Sequence, residues 1–267
     1  MFNEKIGIIG LGFVGGAIAD AFTMISMPLE LRDPFKGHNA TYVDLKGCSA
    51  IFVAVPTPQS EDGTCDTSAL ESVLAELAEI KYRGVIISKC TAPPTTYAKL
   101  QEQFPNLVHA PEFLTAARAS LDYANGTFAF IGGNVLAYQR EAERVIRISQ
   151  SNLKVVRYCT IAEASLAKYT INSFMATKVI FMNEMSALAE ALDCNYEVIS
   201  SMVKHDPRIG DSHMQVPGPD GSFGFGGACF PKDTSALLKI ASDVDAQMNV
   251  LDAAVKKNTI LRLQEPK

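Results

Sequence analysis

The chain has 267 residues, 48% of them hydrophobic and 20% charged, with a formal net charge of −5, an ordinary globular composition with room for one large and one small domain. The acidic balance leaves no basic stripe to neutralise a phosphate backbone and excludes a nucleic-acid binder, although a few local cations would still hold a small anionic substrate. Met1-Phe2-Asn3-Glu4 leads directly into an apolar run without a secretory signal, and the most apolar long stretch, Ile171 to Ala189, carries Lys178, Asn183 and Glu184, so the expectation is a cytoplasmic protein with no membrane span.

In chain order, strand-like apolar runs fall at Lys5–Ile9, Leu29–Arg32, Ala50–Val55, Val85–Lys89, Leu107–His109, Thr127–Ile131 and Lys154–Tyr158. Helical periodicity separates them at Val14–Ala21, Thr67–Ile80, Tyr97–Gln103 and Tyr138–Ser149. This alternation predicts an α/β fold, a Rossmann-type, doubly wound and mainly parallel sheet. After Tyr158 the strand signals stop. One long helical pattern runs from Ile161 to about Ala191, then come Glu197–Lys204, a Gly/Pro-rich loop, and helices near Thr234–Ala241 and Val250–Leu263. The composition shift places a domain boundary near Cys159, giving residues 1–158 as a dinucleotide-binding domain and 159–267 as an all-helical domain around one long central helix. That helix, 162–191, is expected to form the core of a homodimer.

Ile6–Gly15 reads as a strand entering GxGxxG and then a helix. Gly10 allows the tight turn, Gly12 lets the backbone approach a pyrophosphate, and Gly15 lets the helix pack closely on the strand, while the helix N-terminus offers its N–H groups to phosphate. The next strand ends at Asp33, about 20 residues on, where a carboxylate accepts the ribose hydroxyls and repels a 2′-phosphate. NAD is therefore expected over NADP, with Arg32 and Lys36 the features that run the other way.

Two later segments carry candidate chemistry. Lys168 and Asn172 stand four apart on the long helix and share a face, where together they would polarise a substrate oxygen; by themselves they read more simply as a surface lysine beside a polar neighbour. Gly224–Asp233 (GFGGACFPKD) places Cys229 just ahead of Pro231 and of a helix whose start Asp233 would cap. A helix N-terminus and Lys232 would lower the thiol pKa and make Cys229 a nucleophile; loop filler with a plain N-cap is an equal reading of the same residues. None of the cysteines (Cys48, Cys65, Cys90, Cys159, Cys194, Cys229) forms a CxxC pair or stands at metal-ligand spacing with the four histidines, and no metal is expected.

The motifs GLGFVG, VAVPTP (Val53–Pro58) with DGTCD (Asp62–Asp66), KCTAPP (Lys89–Pro94), APEFL (Ala110–Leu114), AKYTINSFMATKVIFMNE (Ala167–Glu184), DPRIG (Asp206–Gly210) and GFGGACFPKD occur in one order over nearly the whole chain. In that order they resemble the UDP-glucose/GDP-mannose dehydrogenase family. The resemblance implies NAD-dependent oxidation of the primary alcohol of a nucleotide sugar to a uronic acid, through a thioester on Cys229. It implies Lys168 and Asn172 as stabilisers of the oxyanion, Asp233 in proton transfer and water orientation, Glu112 in thioester hydrolysis and Thr91 near the nicotinamide. It assigns the cofactor to Gly10, Gly12, Phe13, Val14, Gly15, Asp33, Pro56, Thr57, Thr91 and Lys232. It assigns the substrate to Phe113, Leu114, Lys168, Asn172, Arg208, Phe223 and Gly226, with Arg208 often reaching in from the partner subunit.

The sequence departs from the family pattern in three places. Ala116 stands where the family usually carries a second acidic residue. The Val216–Ser222 loop is long, and its backbone N–H groups are expected to contact phosphates. The family's third, nucleotide-binding domain has no counterpart before Lys267, which predicts weak substrate binding by the chain alone. Two further readings therefore stand beside the first: a single-step hydroxyl dehydrogenase using Lys168 and Asn172, and a non-catalytic NAD-binding partner subunit.

Overall fold

The computed structural model describes residues 4–60, 62–115 and 118–264; the opening Met1–Asn3, Ala116 and the closing Lys267 lie outside them. The chain forms two compact units: Met1–Ser60 with Cys65–Lys168, and Glu61–Thr64 with Tyr169–Lys267.

The first unit runs β1 (Ile6–Ile9), α1 (Phe13–Met24), β2 (Leu29–Asp33), β3 (His38–Asn39), α2 (Tyr42–Leu45), β4 (Ala50–Val53), α3 (Ser68–Glu79), β5 (Val85–Ser88), α4 (Pro94–Gln103), β6 (Leu107–His109), α5 (Ala119–Ala124), β7 (Phe128–Gly132), α6 (Leu136–Ser149) and β8 (Val155–Cys159). The strands form one sheet in the order β3-β2-β1-β4-β5-β6-β7-β8. It is parallel except at the β2–β3 and β6–β7 pairs. β1, β4 and β5 are buried at every position, because helices cover both faces and a side chain pointing either way meets a core. Ile6, Ile8, Ala50 and Phe52 join Phe22 of α1 and Val145 and Ile146 of α6 in one cluster. Ile9, Ile51 and Val53 point the other way, into a cluster with Leu45 of α2, Leu70 and Leu74 of α3 and Tyr97 of α4.

The doubly wound, mainly parallel sheet expected from the sequence is present, with small corrections. β4 and β5 end two residues and one residue short of their apolar runs, at Val53 and Ser88, so that the residues leading to Pro56 and Lys89 leave the ladder at the carboxyl edge. β3, α2 and α5 were not anticipated. β3 is two exposed residues. α2 is a single turn that starts on a capping box, Thr41 Oγ1 accepting from the Asp44 N–H and the Asp44 carboxylate accepting from the Thr41 N–H.

α7 (Ile161–Ala191) is one continuous helix of 31 residues that begins in the first unit and continues in the second. The second unit adds α8 (Tyr196–Val203), α9 (Phe230–Asp243) and α10 (Asn249–Leu261). Its core joins Ala176 and Ile180 of α7, Phe225, and Ala254 and Leu261 of α10. Asn195 caps α8 by accepting from the Glu197 and Val198 N–H groups. Among the described residues no helix is long and apolar enough to cross a membrane.

Candidate active site

The dinucleotide motif has the geometry that its glycines require. Gly10 turns the chain at φ +84°, a conformation that favours glycine. A Cβ on Gly15 would stand 1.8 Å from the Gly10 carbonyl oxygen, so α1 meets the end of β1 only because residue 15 has no side chain. Around Gly12 the space is open: a Cβ there would meet nothing within 4 Å. Gly12 is also the N-cap of α1, and no side chain caps the helix, which leaves the positive end of the helix dipole to an anion. Phe13 is exposed and Val14 half-buried beside it. Asp33 closes β2, one carboxylate oxygen fixed by the Leu11 N–H at 2.8 Å, and Lys36 Nζ donates to the Leu11 carbonyl at 2.5 Å. An empty approach at Gly12, an uncapped helix and an anchored carboxylate fit the pyrophosphate and the ribose of NAD. Pro56 is exposed and Thr57 buried just past β4. Thr91 lies half-buried between β5 and α4, its carbonyl accepting from Cys65 Sγ.

Still within the first unit, Lys168 is 4% exposed. Its ammonium donates to the Glu112 carbonyl at 2.5 Å and to Glu112 Oε1 at 3.1 Å, and it stands 5.2 Å from the centre of the Phe113 ring. Glu112 Oε2 accepts from the Leu114 N–H at 2.7 Å. The surface-lysine reading is thus excluded for Lys168: it is a buried cation engaged with the APEFL glutamate. Lys89, which sequence reasoning passed over, is buried one residue beyond β5. Burial pushes its pKa down to about 8, with the Glu112 charge acting to raise it and the Lys168 charge to lower it.

In the second unit, Cys229 is exposed and is itself the N-cap of α9. The helix begins at Phe230, four residues earlier than its periodicity suggests, because Pro231 suits the first turn. Asp233 is therefore not the cap. It is 1% exposed, and its carboxylate accepts from Asn172 Nδ2 at 2.5 Å and from Lys232 Nζ at 2.6 Å. The Lys232 ammonium, expected beside the thiol, is bound to Asp233. Among the described residues no disulfide involves any of the six cysteines.

Two buried asparagines missed in the sequence hold the loop that leads to Cys229. Asn258 of α10 accepts from the Phe225 N–H and donates to the Phe225 carbonyl, and Asn183 of α7 accepts from the Gly224 N–H. The signal was legible: Asn258 stands on the buried stripe of α10 with Leu251, Ala254 and Leu261, where an amide is retained for the backbone that it binds. At Gly226 the Arg262 guanidinium lies 2.8 Å from where a Cβ would be; Phe223 is half-buried nearby in the chain. Arg208 is exposed and bound to its neighbour Asp206 through Nε and Nη2. The loop that presents it is pinned by Lys178, whose ammonium donates to the carbonyls of Ile209 and Ser212. The Val216–Ser222 loop does not offer the phosphate nest expected of it: the N–H groups of Gly218, Gly221 and Ser222 are already donated within the loop.

A doubly wound sheet with an open glycine turn and an anchored acidic strand end defines a dinucleotide-binding domain suited to NAD. Residues 33–150 match the NAD binding domain of the UDP-glucose/GDP-mannose dehydrogenase family, and residues 162–260 match its central domain. The chain belongs to that family. A putative UDP-glucose 6-dehydrogenase of Bacillus subtilis is 34% identical over 78% of this chain and 50% of its own length, and a UDP-glucose 6-dehydrogenase of Rickettsia felis is 33% identical over 80% and 48%. The chain thus spans about half the length of these curated relatives. The fold is shared with a UDP-glucose dehydrogenase of Pyrobaculum islandicum (TM-score 0.81, 24% identity, 96% of this chain and 68% of that one). It is shared also with a 3-hydroxyisobutyrate dehydrogenase of Mycobacterium tuberculosis (TM-score 0.74, 16% identity, 96% and 92%).

Proposed function

We propose that the chain oxidises the primary alcohol of a nucleotide sugar, UDP-glucose or a close analogue, to the uronic acid through a thioester on Cys229. The observation that carries this reading is the exposed thiol at the N-terminus of α9, one turn before a buried Asp233 bound to Asn172. NAD supplies the hydride acceptor for both oxidations. Cys229 adds to the aldehyde carbon left by the first oxidation, and the resulting thiohemiacetal keeps a reactive aldehyde from escaping. Loss of the second hydride from that carbon gives the thioester. Lys168 and Asn172 donate to the substrate oxygen as its negative charge develops. Asp233 handles the proton and orients water, and Glu112 activates the water that cleaves the thioester. Phe113, Leu114, Phe223, Gly226 and Arg208 take the sugar nucleotide, and Lys232 and Thr91 the cofactor.

Turnover of a panel of UDP- and GDP-sugars tests the reaction, with two NADH and one acid expected per substrate. One NADH per substrate would favour the alternative, a single-step hydroxyl dehydrogenase.

The proposed assembly is a homodimer through α7. Phe174, Phe181 and Leu188 recur every seven residues along it, each at least half exposed, an apolar seam that water disfavours and a second copy would cover. Phe181→Glu is expected to weaken association by on the order of a hundredfold, read by sedimentation. If Arg208 reaches substrate across the dimer, activity should fall with dissociation; a monomer of undiminished activity would overturn the assignment.

A further inference from the structure

The two faces of β7 are covered differently. Ala129 and Ile131 are buried and join Ala142, Val145 and Ile146 of α6 in one core cluster. Phe128, Phe130 and Gly132 alternate with them and point the other way. α7 closes that second face at one end, where a Cβ on Gly132 would stand 2.6 Å from Ala164 Cβ. At the other end Phe128 is 40% exposed. On the edge strand β8, Val155 stands opposite Phe128 and is also exposed, and Arg157 stands opposite Phe130.

Three aromatic rings meet at the open end. The ring centre of Phe113 lies 5.1 Å from that of Phe128 and 5.7 Å from that of Phe130, and the last two are 5.5 Å apart. Phe113 reaches the cluster from the loop after β6, and the Lys168 ammonium lies 5.2 Å from its centre. A single exposed apolar side chain is ordinary, but three packed rings with one left uncovered make a surface that water disfavours. A cation stands at each side of it. Lys168 is bound to Glu112. Arg157 is exposed and donates to the Val156 carbonyl, and among the described residues no carboxylate pairs with it. All of these residues belong to the first unit.

We propose that Phe128, backed by Phe113 and Phe130, is the base subsite for the nucleotide sugar: the base stacks on the open ring of Phe128, Arg157 holds the diphosphate, and the sugar turns towards Lys168. The inference rests on the proposed action of Lys168 on the substrate alcohol, which the shelf adjoins. A flat π-system stacks on an exposed aromatic ring, and a guanidinium without a carboxylate partner is free to take a phosphate. The pyrophosphate of NAD is not the occupant, because its glycine turn follows β1, and β4, β5 and β6 separate β1 from β7.

Binding measurements test it without turnover. The chain contains no tryptophan, so Phe128→Trp places a single fluorophore on the shelf, and its emission should be quenched by saturating UDP or GDP. By calorimetry, Phe128→Leu should weaken binding of the same diphosphate by roughly tenfold, with NAD affinity unchanged. Leucine keeps the apolar cover and loses the π face, so parent affinity in Phe128→Leu overturns the proposal. A tryptophan emission that neither diphosphate moves overturns it as well. Arg157→Gln should weaken the diphosphate and leave the affinity for the free nucleoside as it was; equal losses for both would remove Arg157 from the subsite. If Phe128→Leu lowers self-association in sedimentation and leaves diphosphate affinity intact, the face belongs to a second copy of the chain and the proposal falls. Acid formation by Cys229→Ala would sink the thioester reading and leave these binding results standing.

Discussion

Cys229→Ala is expected to abolish acid formation, by roughly a thousandfold or more, while leaving the fold and NAD affinity as they are. Cys229 is exposed, so alanine removes the sulfur without opening a core. Without it the aldehyde has no covalent trap, and the second oxidation loses the tetrahedral adduct from which hydride departs. The complementary variant, Glu112→Gln, should let the thioester accumulate, visible as added mass on the intact protein after turnover. Both are read with the substrate that gives the fastest NADH production, alongside an NAD titration. Full acid production by Cys229→Ala would refute the covalent mechanism.

Gly15→Ala is expected to destabilise the first unit by on the order of 3 kcal/mol, a large share of the roughly 5–15 kcal/mol that holds a domain together. The new methyl would stand 1.8 Å from the Gly10 carbonyl oxygen, with the Gly10 carbonyl carbon and the Ala54 side chain close behind. Backbone cannot yield there without lifting α1 off β1. Gly12→Ala separates packing from binding: its methyl enters open space at an ordinary negative φ, so the variant should melt near the parent temperature and bind NAD poorly. Thermal unfolding and an NAD titration on both proteins check the pair. Equal melting temperatures for the two variants would contradict the packing argument, and unimpaired NAD binding by Gly12→Ala would contradict the pyrophosphate assignment.

Much of this could be read from the sequence, for identifiable reasons. The sheet was legible because β1, β4 and β5 are covered on both faces, which leaves unbroken apolar runs that few other structures permit. The dinucleotide site was legible because three glycines and one aspartate each satisfy a separate steric or electrostatic demand at a fixed spacing. Short elements were not: β3 is two exposed residues, and α2 declares itself only by the Thr41–Asp44 box. The partners of buried polar groups were hidden as well. Nothing in the spacing of Lys168 says that it binds Glu112, 56 residues away, and Asp233 read as a cap because it stands just before the helical pattern near Thr234–Ala241. In the structure its carboxylate turns to Asn172 and Lys232, and the cap position falls to Cys229.

The segment Glu61–Thr64 belongs to the second unit although the chain on either side of it belongs to the first. Its Gly63, at φ +86°, lies so close to α9 that a Cβ there would be 2.9 Å from Ser235 Oγ, and the Lys239 charge acts on Asp62. On the ribosome this strap emerges more than a hundred residues before the helix that it lies against, so the second unit cannot be completed until α9 has been made. A cut within α7 would yield a C-terminal fragment without its strap and an N-terminal fragment with a loop deprived of its seat. Supplying the two halves as separate polypeptides should therefore restore less than the intact chain provides, and the deficit should fall at the first turns of α9, beside Cys229.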